Sequence, residues 1–146
     1  MTVVVKNSGA SGRSGVCGRG GFNNEGFTFQ FNSSSELTGI CRTSGGASTL
    51  GSPSPIGTWA VAVMSFDGTD FFFQVRGAAG QSASIPGSLL FADDSFAVGG
   101  TASTAGATAF FGNGGKQVAL VATSTTTYNS TTAAPFLDRV ARWCGL

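Results

Sequence analysis

The chain has 146 residues, a net charge of +1 and only 10% charged residues, where about a quarter is ordinary. Its 41% hydrophobic content, including 13 Phe, suffices for one packed domain over 1–146 and excludes a disordered chain. Lys6, Lys116 and six scattered arginines make no basic face for nucleic acid, and no window approaches the roughly 18 apolar residues of a membrane span.

Short β-rich runs alternate with Gly, Ser and Asn clusters, the pattern of an all-β sandwich or barrel. Thr2 to Lys6 is the first expected strand and Ser14 to Arg19 the second. Phe27-Thr-Phe-Gln-Phe31 alternates with period two, which sets its three Phe on one face. Asn32 to Ser35 reads as a turn and Glu36 to Arg42 as the return strand. Gly45 to Pro55, rich in Gly, Ser and Pro, reads as a loop. Thr58 to Phe66 and Asp70 to Arg76 are the strongest strands, joined by the hairpin residues Asp67-Gly68-Thr69. Ser88 to Phe91, Ser95 to Val98, Ala109 to Phe111 and Gln117 to Ser124 follow.

The tail changes period. A helix is expected over about 132–143, with Thr132 as its cap and Pro135 in its first turn. Phe136, Val140 and Trp143 make an apolar stripe that predicts a helix plugging one open end of the sheets. Phe71 and Phe73 share one strand face and Phe72 takes the other. Phe72 is therefore either covered by the helix or a loop, or a subunit contact. Trp59 is expected in the core.

Site chemistry is sparse. The chain has no His, which excludes Ser–His–Asp and Cys–His nucleophile systems. Glu25 and Glu36 stand apart, and Asp67 and Asp70 bracket a hairpin, so no carboxylate pair suggests glycoside hydrolysis. Asp93 and Asp94 are weak calcium candidates, well short of the 6–8 oxygen ligands that calcium takes. Gly112-Asn-Gly-Gly-Lys116 lacks the first Gly and the Ser/Thr of a phosphate loop and reads as a turn. Cys17, Cys41 and Cys144 have no zinc spacing; they are read as free, mostly buried thiols, with a Cys17–Cys41 disulfide as the alternative. The expectation is a protein that is not an enzyme and takes no cofactor.

The order of several pieces carries a resemblance. Thr2-Val-Val-Val-Lys6 is followed by a strand leading to Gly20-Gly21, then by the Phe27 to Phe31 strand and its return. Next comes Gly57-Thr-Trp-Ala-Val-Ala-Val-Met-Ser-Phe-Asp-Gly68, then Val75-Arg-Gly77, Val98-Gly-Gly100, Phe111-Gly112, Val118 to Val121 and the helix. This order resembles the laminin-G-like, concanavalin-A-like jelly-roll family. The resemblance implies a two-sheet antiparallel jelly-roll sandwich, with Ala60 where the family commonly has histidine. The family also carries strand sequence upstream of the position of Met1. The resemblance thus implies a missing strand and an open edge at Thr2, Val3, Val4 and Val5, which with Phe72 are the interface candidates. A fragment whose upstream strands have been left out is the alternative.

Two functions follow as expectations. The first is a structural protein of a phage virion, of the decoration or cement kind, made in the host cytoplasm and partnered by copies of itself or by capsid or tail proteins. The second is an extracellular carbohydrate-binding module with glycan partners. The N-terminal run is too short and too β-branched for a signal-peptide core, which favours cytoplasmic synthesis where no leader has been removed.

Overall fold

A computed structural model describes residues 1–7, 14–19, 26–54, 56–91, 96–99 and 117–146. Ten strands and one helix are defined there. In chain order they are β1 (Thr2–Lys6), β2 (Ser14–Arg19), β3 (Phe27–Phe31), β4 (Glu36–Thr43) and β5 (Gly46–Pro53). They continue with β6 (Trp59–Phe66), β7 (Asp70–Val75), β8 (Gln81–Ser84), β9 (Ala97–Val98), β10 (Gln117–Ala122) and α1 (Ser130–Trp143). The strands form two five-stranded antiparallel sheets, in the orders β10-β1-β6-β7-β8 and β5-β4-β3-β2-β9. This is the two-sheet sandwich with a C-terminal helix that the sequence predicts.

Side-chain alternation builds the interior. Phe29 and Phe31 of β3 are fully buried, as are Phe71 and Phe73 of β7 on the facing sheet. Phe27 meets Phe71 edge-on at 6.1 Å between ring centroids, and Phe29 lies 6.1 Å from Phe73. Val3, Val5, Ala62, Met64, Leu37 and Cys41 belong to this inner cluster. A Cβ on Gly39 would lie 2.8 Å from the Phe73 ring and 3.2 Å from the Met64 sulfur. The rings cross β4 at that point because it carries no side chain.

A second apolar layer covers the outer face of the β10-β1-β6-β7-β8 sheet. Val4, Val61, Val63 and Phe72 point outward there and meet Ala133, Leu137 and Ala141 of α1. The helix therefore lies across a sheet face, where the sequence places it at an open end. Its buried stripe is Ala133, Leu137 and Ala141; Phe136 and Val140 flank it, and Trp143 is 77% exposed. Counting only large residues selects the wrong stripe, because two of the three contact positions are alanines that let the helix sit close.

The helix also begins earlier than predicted. Asn129 caps it, its side-chain oxygen accepting from Thr131 N at 3.0 Å and Thr132 N at 3.1 Å. Thr132 returns the bond by accepting from Asn129 N at 3.1 Å, a capping box in which Thr132 is the third residue and not the cap. Pro135 consequently lies inside the helix, beyond its first turn. Just before the cap, the Ser65 hydroxyl donates to Tyr128 O and accepts from Tyr128 N, at 3.1 and 2.9 Å. Those two bonds fix the chain's approach to α1 against β6.

Three further differences come from pairing that local composition does not reveal. Most of the expected loop 45–55 is β5, held to β4 over eight consecutive residue pairs after the two-residue turn Ser44-Gly45. Its small residues give no hydrophobic signal because the strand is at the sheet's margin and half solvated. Gln81–Ser84 is a strand beside β7 that the sequence does not announce, whereas the segment 88–91 contributes only an isolated bridge from Leu89 to Thr43. The expected strand Ala109 to Phe111 lies outside the described residues. The Asp67-Gly68-Thr69 hairpin forms as predicted, with Gly68 at φ +103°.

Candidate functional site

Thr2, Val3, Val4 and Val5 are not at an edge. β1 lies between β6 and β10, with Val3 opposite Ala62 on one side and Val121 on the other. All four residues are buried. The open edge expected beside β1 is filled from within the chain, by Gln117–Ala122. Phe72, 7% exposed, lies under α1 in the outer cluster, so the covered alternative is the one observed. Neither β1 nor Phe72 offers a surface to another molecule. Asp93, Asp94, Glu25 and the turn 112–116 lie outside the described residues.

The margins of the sandwich are instead β10 and β8 in one sheet and β5 and β9 in the other. Among the described residues, no further strand pairs with their outer sides. Their sequences are Gln-Val-Ala-Leu-Val-Ala, Gln-Ser-Ala-Ser, Gly-Ala-Ser-Thr-Leu-Gly-Ser-Pro and Ala-Val. None contains Asp, Glu, Lys or Arg. β5 pairs with β4 without a break in register, and one of its carbonyls, Gly51 O, accepts from Gln81 Nε2 at 2.7 Å. β10 has a bulge, since Val4 opposes Leu120 and Val5 opposes Val118, leaving Ala119 without a counterpart.

A cleft of about 800 Å3 opens where β6 begins and β7 ends. Trp59, Gln74, Arg76 and Ser52 line it with Ala134 and Asp138 of α1. Trp59 is half-buried on the outer face of its sheet, contrary to the core position expected from the sequence. Arg76 Nε donates to Asp138 at 2.9 Å, an ion pair with both partners partly solvated, and Arg76 Nη1 donates to Leu146 O at 3.5 Å. Gln74 is buried, and its amide nitrogen donates to Ala78 O at 2.8 Å while its amide oxygen has no hydrogen-bond partner. Sequence reading missed this cleft because it joins residues from β5, β6, β7 and α1.

The remaining candidate groups are structural in their contacts. Asp67 Oδ1 accepts from Thr69 N at 2.9 Å and Asp70 N at 2.8 Å, and these two backbone bonds hold its carboxyl below the usual range. Cys17, Cys41 and Cys144 are free, and burial pushes the Cys17 and Cys41 thiols up to about 12. Among the described residues, no three His, Cys, Asp or Glu side chains gather as metal ligands do. No helix of the described residues is long and apolar enough to cross a membrane. No protein-family model matches the chain, and no curated protein matches it either.

Proposed function

We propose that this is a non-catalytic structural protein of a phage virion, a decoration or cement protein that binds neighbouring subunits through its sheet edges. The observation that carries this reading is the absence of any charged residue from all four marginal strands. Proteins that must stay apart commonly protect their edges with Lys, inward charges or Pro, because unpaired N–H and C=O rows recruit other strands. Among the described residues, Pro53 at the last position of β5, the bulge at Ala119 and the two-residue length of β9 are the protections on the marginal strands. A surface with so few charges also sets little repulsion against dense packing. Exposed apolar side chains outside the helix add to this, with Ile56 at 62% and Val98 at 60%.

The test is whether the chain travels with particles. Density-gradient-purified virions from cells producing the chain should contain it in fixed proportion to the shell protein. Ala47→Lys in β5 together with Ala119→Lys in β10, both at exposed positions, should release it. A chain absent from purified particles overturns the proposal.

A second reading, a carbohydrate-binding module, is favoured by one observation: Trp59 lines a cleft beside the buried Gln74, whose amide oxygen lacks a hydrogen-bond partner and would reach a ligand once the side chain turns outward. Sugars present C–H faces to aromatic rings and hydroxyl donors to such acceptors. Saturable binding on an array of neutral glycans, weakened at least tenfold by Gln74→Met, would support it; an array without binding rules it out.

A further inference from the structure

Among the described residues, the two apolar layers of the sandwich both run out to β10, which is at the margin of its sheet. On the inner face Val118 and Val121 pack against the core that contains Val3 and Val5, and both remain partly exposed. On the outer face Leu120 packs against the layer beneath α1 and is likewise half-covered. No other marginal strand has this character, since β8 carries only Gln, Ser and Ala, β9 is two residues long, and β5 is mostly Gly, Ser and Thr. An additional strand beside β10 would extend both layers at once, provided that its side chains are apolar on both faces.

β10 is itself such a strand. We infer that β10 pairs antiparallel with the β10 of a second copy of this chain, making one continuous sheet through a two-fold axis. This rests on the edge-pairing reading and names its partner. Three features fit a self-complementary contact. The strand has no charge, so the two-fold places no like charges opposite one another, an arrangement that would oppose pairing. Its six residues span roughly 20 Å, enough for a short ladder. Its Val and Leu side chains occupy both faces, so each copy supplies what the other leaves uncovered. The bulge at Ala119 works against pairing by increasing the local twist, so the ladder between the two copies must accommodate it.

The experiment is sedimentation velocity on the full chain over about a hundredfold range of concentration, where a dimer must follow mass action. The parent chain should dimerise. Ala119→Lys with Ala122→Lys, both at exposed positions so that the cores are untouched, should weaken the dimer at least tenfold while the far-UV spectrum is unchanged. In the dimer, the β10 amides should exchange with deuterium more slowly than in the doubly substituted monomer. A parent chain that stays monomeric throughout overturns self-pairing and leaves the particle experiment to decide edge binding to other subunits. A dimer that survives the β10 substitutions and is lost with Ala47→Lys overturns the choice of β10 and retains edge pairing. A dimer indifferent to both sets overturns self-pairing through β10 and leaves the particle experiment to decide edge binding to other subunits.

Discussion

The position of the helix makes a sharp claim about two of its residues, six apart in sequence. Leu137 is fully buried between α1 and the outer sheet face, against Val4, Val61, Val63 and Phe72, while Trp143 is 77% exposed. Leu137→Ala removes three carbons, worth about 2.4 kcal/mol at roughly 0.8 kcal/mol per buried methylene. The unfilled space adds a cavity cost of about 1 kcal/mol, and alanine's better helix propensity returns only a few tenths. The expected loss is thus about 3 kcal/mol, a large share of the roughly 5–15 kcal/mol that holds a domain together. Trp143→Ala, although it deletes the largest side chain of the helix, should change stability by no more than about 0.5 kcal/mol. Urea unfolding followed by far-UV circular dichroism measures both, with the midpoint read at an unchanged slope. If Trp143→Ala costs as much as Leu137→Ala, or Leu137→Ala costs under about 1 kcal/mol, the helix docks by another face and the reasoning fails.

Asp67 should titrate below an ordinary aspartate, because the carboxylate accepts two backbone N–H bonds that its protonated form loses. With a depressed folded pKa, its contribution is present above the unfolded pKa and disappears as pH falls through the folded one. Asp67→Ala should therefore lower stability at neutral pH and converge with the parent chain under acid; a pH-independent difference would refute this. Cys17 and Cys41, pushed up to about 12 by burial, should react with a thiol reagent at pH 8 only as the protein unfolds, leaving the half-exposed Cys144 as the fast group. Fast labelling of Cys17 in the folded protein would contradict the packing around it. Gly39→Ala should cost about 1–3 kcal/mol by driving a methyl into the Phe73 ring and Met64 sulfur, and a neutral result in thermal unfolding would show that the sheets separate freely there.

What the sequence reveals follows from how local each signal is. The Phe27 to Phe31 alternation, the Asp67-Gly68 turn and the facing Phe71 and Phe73 are legible because period and turn chemistry reside in adjacent residues. β5 is not legible, since a marginal strand of Gly, Ser and Thr is stabilised by its register with β4 and not by its own composition. The helix face is misread for a related reason: close approach selects Ala133 and Ala141, and a hydrophobicity count passes over alanine. The largest gap concerns partners. Which strand fills the place beside β1 depends on a pairing between Val3 and Val121, and the cleft at Trp59 depends on four elements meeting. Neither leaves a mark in any single stretch of sequence.

The place of β1 has a consequence for the order of events during synthesis. Its two neighbours are made long after it: β6 emerges some fifty residues later, and β10 after every other described strand. Until then the Val3 to Val5 backbone has one side or both unsatisfied, and such non-local closure is slow. The margin of this sheet therefore changes identity as the chain is made, from β1 before β10 emerges to β10 once it has paired. A chain truncated before Gln117 would leave β1, and not β10, at the margin of that sheet.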